Sequence, residues 1–132
     1  FIRYLLFAGI SAFIFVFIVY GYFKTRKKIY FVNPFSLYNE NASFLVKSEE
    51  FLLIHSFKNR KVLENNLVLD LYSDNTKSLD ATVKRKNKII QGLNNKFRST
   101  FGGELVLKKT DEEDLRQVFY VISKDVKLLF QD

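Results

Sequence analysis

Residues 66–72 read NLVLDLY, and how this stretch is taken decides the fold around it. Leu67, Leu69 and Leu71 alternate with Val68, Asp70 and Tyr72, the period-two pattern of a strand with one buried face. Such a strand commits the flanking segments to a sheet. Ser73-Asp74-Asn75-Thr76 then supplies turn chemistry. From Leu79 the period changes: Leu79, Val83, Ile90, Leu93 and Phe97 are spaced by three, four or seven, which predicts an amphipathic helix. Its opposite face carries Lys84, Arg85, Lys86, Lys88, Lys96 and Arg98. Without interleaved exposed aromatics this basic face predicts a solvated or partner-facing surface and no nucleic-acid partner.

Upstream, residues 44–47 (FLVK) and 51–57 (FLLIHSF) are rich in strand formers and flank the polar Ser48-Glu49-Glu50, the layout of a hairpin. His55 would then share a face with Phe51, Leu53 and Phe57, as a partly buried sheet residue rather than a catalytic base. A further short strand is expected at 29–32, ended by Asn33-Pro34, because proline lacks a donor and drives the preceding residue away from helix. Downstream, Phe101-Gly102-Gly103 should stop the long helix. Residues 104–108 (ELVLK) read as strand or loop. Thr110 and Glu113 have the spacing of a capping box, which makes Asp111, Glu112, Glu113 and Asp114 the acidic start of a last helix. Consecutive helical positions diverge, so these four carboxylates are not expected to converge on a metal. Leu115, Val118, Phe119, Ile122, Val126 and Leu129 would form that helix's apolar face, with residues 126–130 as a possible terminal strand.

The N-terminal part is of a different kind. Residues 4–23, YLLFAGISAFIFVFIVYGYF, contain no charge, and twenty helical residues span roughly 30 Å, the thickness of a hydrocarbon core. The apolar run is longer than that of a secretory signal peptide and continues into KTRKK, so a retained anchor is expected. Tyr4, Tyr20 and Tyr22 suit the two interfaces. With no ionisable group inside, the span is not expected to conduct ions. Lys24, Arg26, Lys27 and Lys28 form a basic collar after it, and that pattern taken alone favours a cytoplasmic domain. The chain holds no Met, so residues ahead of Phe1 are expected, and their charge would weigh on the orientation.

The net charge of +7 is distributed unevenly: residues 1–28 hold five basic groups and no acid. The other 104 residues carry 16 basic and 14 acidic groups, so the basicity is largely a property of the anchor. With no Cys and one His, disulfides, thiolate metal sites, a Cys nucleophile and multi-His metal chemistry are excluded. No phosphate loop, nucleophile elbow or HExxH pair occurs, and no cofactor is expected. The reading is therefore a membrane anchor at 1–28 and an α+β domain at 29–132, a small antiparallel sheet packed by two amphipathic helices. Such a chain is expected to bind or scaffold rather than catalyse.

The order of elements resembles the flagellar basal-body-associated protein FliL family. The likeness is carried by an alternating stretch ending in a polar turn, NLVLDLYSDN, with Leu69 and Leu71, and by a helix with Lys86, Ile89, Ile90 and Leu93. Leu105, Leu115 and Arg116 follow, and Pro34-Phe35 lies just beyond the membrane segment. The resemblance implies a stomatin-like domain in the periplasm of a single-pass inner-membrane protein. It also implies that copies of the chain form a ring around the ion-channel stator subunits of the flagellar motor and support torque. The basic residues Lys84, Arg85, Lys86 and Lys88 and the acidic residues 111–114 would offer complementary patches for such a ring. The alternative is a single-pass subunit of another membrane complex, such as a secretion-system inner-membrane component or a respiratory accessory subunit.

Overall fold

The computed structural model describes residues 2–25 and 27–131, with the side chains of 23–25 left aside. Helix α1, Ile2–Thr25, is followed by β1 (Lys28–Val32), β2 (Ser36–Tyr38), β3 (Ser43–Leu45), α2 (Ser48–Ser56), β4 (Val62–Glu64) and α3 (Asn65–Tyr72). Then come α4 (Leu79–Phe101), β5 (Val106–Thr110), β6 (Val118–Ile122) and β7 (Val126–Phe130). The strands form two small sheets. One is mixed, in the order β3-β2-β1-β7, and the other is antiparallel, in the order β4-β6-β5.

The expected class, an apolar N-terminal helix joined to an α+β domain, holds, but its single antiparallel sheet under two helices does not. Residues 66–72 belong to helix α3, in which Val68 and Tyr72, four apart, are the buried positions. Leucine is a good helix former, and the inward stripe follows the 3.6-residue period rather than the alternation of the leucines. Residues 51–57 likewise belong to a helix and its C-cap. Ser48-Glu49-Glu50 is its first turn: the Glu50 carboxylate accepts from the Lys47 amide at 2.9 Å, closing one half of a capping box. His55 is exposed on α2, its ring 5.5 Å from Phe51 and 6.0 Å from Phe130.

The last expected helix is absent. In its place β6 and β7 follow a loop at 111–117, where Asp111 Oδ1 accepts from the Glu113 amide and Asp114 Oδ1 from the Arg116 amide. These aspartate side chains satisfy local turns, which compete with helix initiation. Val118-Phe-Tyr-Val-Ile122, all β-branched or aromatic, is the central strand of its sheet, with β4 on one side and β5 on the other. Residues 126–130 are the terminal strand, and it pairs in parallel with β1, Lys28 opposite Val126 and Val32 opposite Phe130. The first and last strands of the domain thus close it.

The turn after the first strand and the long helix with its glycine stop are as expected. β1 ends where Asn33 Oδ1 accepts from the amides of Phe35 and Ser36, each at 2.8 Å. Residues 104–108 resolve mostly into β5. Helix α4 is capped by Ser78, whose hydroxyl accepts from the Ala81 amide, and it ends at Gly102 and Gly103. Both glycines have φ near +80°, a conformation other residues reach only with strain. The apolar side of α4, Ile89, Leu93 and Phe97, reaches both sheets. Phe97 meets Tyr30 of β1 at 5.2 Å between ring centroids, and Tyr30 meets Phe101 at 4.8 Å. On the other sheet, Asn94 binds the start of β5: Oδ1 accepts from the amides of Leu105 and Val106, and Nδ2 donates to the Val106 carbonyl.

Candidate functional site

The three groups of residues singled out above sit in different surroundings. In the collar, Lys24 is in the last turn of α1 with its side chain undescribed, and Arg26 lies outside the described residues. Lys27 is exposed, and Lys28 is exposed at the first position of β1. Helix α1 itself is apolar over Ile2–Tyr22, and no residue of that span is buried by the rest of the chain. Residues with such exposed apolar side chains, Phe7, Phe13 and Phe17 among them, need an apolar surrounding that water does not provide.

The basic face of α4 is not one surface. Lys84 and Lys88 are exposed. Arg85 forms an ion pair with Glu49 of α2 and lies 5.9 Å from the Tyr72 ring centre. Lys86 is buried at 5% exposure, its ammonium donating to Asn65 Oδ1 at 2.8 Å and resting 5.3 Å from the centre of the Tyr120 ring. A buried lysine keeps its charge in place only when hydrogen-bonded or stacked, and both happen here. Thus Arg85 and Lys86 tie α4 to α2, α3 and β6, and of the four basic residues 84–88 only Lys84 and Lys88 are exposed with no ion pair among the described residues. Lys96, further along, pairs with the buried Glu50 at 2.6 Å. The adjacent glutamates of the first turn of α2, Glu49 and Glu50, thus each meet a different cation of α4.

The acidic group 111–114 occupies the loop between β5 and β6. Glu112 and Glu113 are exposed, Asp111 and Asp114 hold the turn, and Asp114 also meets Arg116 Nε at 3.3 Å. Among the described residues, no group of three or more His, Asp or Glu side chains is placed to hold a metal. The basic and acidic patches proposed to meet across a ring therefore retain Lys84, Lys88, Glu112 and Glu113 as side chains open to a partner.

Burial raises the pKa of the Tyr30 phenol, and two further titrating groups are displaced. Tyr72 is buried, its hydroxyl donates to the Glu49 carbonyl at 2.7 Å, and burial together with the charge of Glu49 raises its pKa well above the usual phenol value. Asp74, in the turn after α3, is held below the ordinary carboxylate range by hydrogen bonds from the Thr76 amide and hydroxyl.

Sequence reasoning passed over Asn94, Glu50 and Asn65, polar residues whose roles depend on what folds against them. It also passed over the cations of the segments before β4 and around β7. A surplus of Lys and Arg at 58–61 and 124–127 was the available signal. Comparison with family models, with curated proteins and with solved structures finds no match to this chain.

Proposed function

We propose that this chain is a non-enzymatic single-pass membrane scaffold: α1 holds a small α+β domain at a membrane surface, and the domain works through contacts with other proteins. The observation that carries this is α1, a helix long and apolar enough to cross a bilayer and uncovered by the domain that follows it. Its basic collar suits a headgroup layer. The non-enzymatic part rests on composition, one exposed His and no Cys, which leaves few routes to acid–base or nucleophilic chemistry.

The particular machine we propose is the bacterial flagellar motor, with the domain, stomatin-like in fold, in the periplasm and copies arranged in a ring around the stator units. Support comes from the family resemblance at Lys86, Ile89, Ile90 and Leu93, which form successive inward positions of α4. One observation favours the second reading, a subunit of another membrane complex: residues 66–72, a strand in the flagellar pattern, are helical here. A protease-protection assay on the full chain in cells separates the two. Protection of the domain from external protease in intact cells, lost on permeabilising the outer membrane alone, is expected of the flagellar reading. A domain that stays protected until the inner membrane is broken is cytoplasmic and ends it.

A further inference from the structure

The end of the domain nearest the anchor gathers cations from three separate segments. β1 begins three residues beyond α1, and β7 starts beside it, with Val126 opposite Lys28 and the Lys28 amide donating to the Asp125 carbonyl at 2.8 Å. The turn at 123–125 therefore lies level with the chain's exit from α1. Pairing of β4 with β6, Val62 opposite Val121, brings the segment 58–61 to the same end. Between these segments is an open groove of about 370 Å³ with an apolar floor that includes Phe57 and Phe130. Its rim carries Lys27, Lys58, Arg60, Lys61, Lys124 and Lys127, and among the described residues no Asp or Glu lines it.

All six rim residues are exposed, and Lys27, Arg60, Lys61, Lys124 and Lys127 have no carboxylate partner among the described residues. Asp125 is the acid nearest in sequence, and it stands outside the lining. Like charges around one groove repel each other unless an anion sits among them. The anion closest at hand follows from chain length. The apolar span ends at Tyr22, six residues before Lys28, and six residues reach at most about 20 Å even when fully extended. The groove is therefore held beside the headgroup layer of whatever bilayer α1 crosses.

We propose that this groove binds the phosphate headgroup of an anionic phospholipid and seats the anchored end of the domain on the membrane surface. Arg60 supplies a planar fork for phosphate oxygens and the lysines supply point charges, while the apolar floor accepts the glycerol backbone. The inference rests on the anchored reading above and not on the flagellar one. Opposite the groove, the acidic loop at 111–117 lies at the other end of the β5–β6 ladder, where Thr110 pairs with Val118. The domain is thus polar end to end, which would present that loop away from an anionic surface.

The test uses the full chain in nanodiscs of phosphatidylcholine alone or with one lipid in three replaced by phosphatidylglycerol, read by amide hydrogen exchange. Amides of 58–61 and 123–127 are expected to exchange about threefold or more slowly in the anionic discs. The charge-reversed Arg60→Glu/Lys124→Glu/Lys127→Glu chain should lose that difference, and Lys108→Glu/Lys109→Glu, on β5, should keep it. Equal exchange in the two discs, with the protein retained in both, overturns the headgroup site and leaves the anchor standing. A chain that does not stay in phosphatidylcholine discs overturns the anchor, and the headgroup site with it. Inorganic phosphate that gives the same protection in phosphatidylcholine discs assigns the groove to a soluble anion and overturns the lipid.

Discussion

Two short segments of this chain exchange the roles their patterns suggest. Residues 66–72 alternate like a strand and form helix α3, whereas residues 118–122, which continue a helical spacing of apolar residues, form the central strand of a sheet. Composition separates them where periodicity does not. The first segment has three leucines and one β-branched residue, while the second is wholly β-branched and aromatic. Position completes the difference: α3 is pressed against α4, and 118–122 has a strand waiting on each side. In a stretch of five to seven residues, a period of two and a period of 3.6 share many positions, so the neighbours decide.

Tyr120 gives the sharpest way to break this comparison. As part of a helix it would point away from the apolar face of Val118, Phe119 and Ile122, and its loss would be mild. In the strand it is 2% exposed and covers the Lys86 ammonium, so Tyr120→Ala should cost about 3–5 kcal/mol. Urea unfolding of the full chain in detergent micelles, followed by circular dichroism, measures this.

Asn94→Ala comes next, since one side chain serves three backbone groups at the edge of β5. A loss of about 2–3 kcal/mol is expected, with faster amide exchange at Leu105 and Val106 before the rest of the domain opens. Within α3, Val68→Ala should cost about 2 kcal/mol and Leu67→Ala well under half as much, because Val68 is fully buried and Leu67 is 37% exposed. The reverse order would restore the strand.

Tyr72 links α3 to pH. Its pKa is raised in the folded protein, so the stability it contributes is complete below the unfolded phenol value near 10 and is lost as pH rises beyond that. Tyr72→Phe should make the alkaline decline shallower and cost about 1 kcal/mol at neutral pH through the lost bond to Glu49. The smallest effect belongs to Asp74, exposed and with a lowered pKa. Its contribution is present above the ordinary carboxylate value and disappears as pH falls through the lowered one. Asp74→Ala should flatten the acid side of the stability profile slightly, as read from thermal midpoints between neutral and strongly acid solution.

The apolar first helix and the long helix α4 were legible because each is decided by many residues in succession. Twenty uncharged positions in 4–23, and a 23-residue helix with Ser78 at one end and Gly102 at the other, leave little for the rest of the fold to alter. The turn at Asn33-Pro34 was equally local. The basic face of α4 was legible as a list of residues but not as a surface, since burial of Lys86 and pairing of Arg85 depend on Asn65, Tyr120 and Glu49, which arrive from other elements.

By itself, then, the sequence determined a membrane-length apolar helix, a basic collar, a long capped helix and a chain poor in catalytic groups. Tertiary structure alone decided that 66–72 and 51–56 are helices, that 118–122 is a central strand, and that the last strand closes on the first. It also gathered Lys27, Arg60, Lys61, Lys124 and Lys127 around one groove. The physical reason is common to these cases: short segments take the conformation whose hydrogen-bonding and packing partners are present, and those partners come from distant parts of the chain.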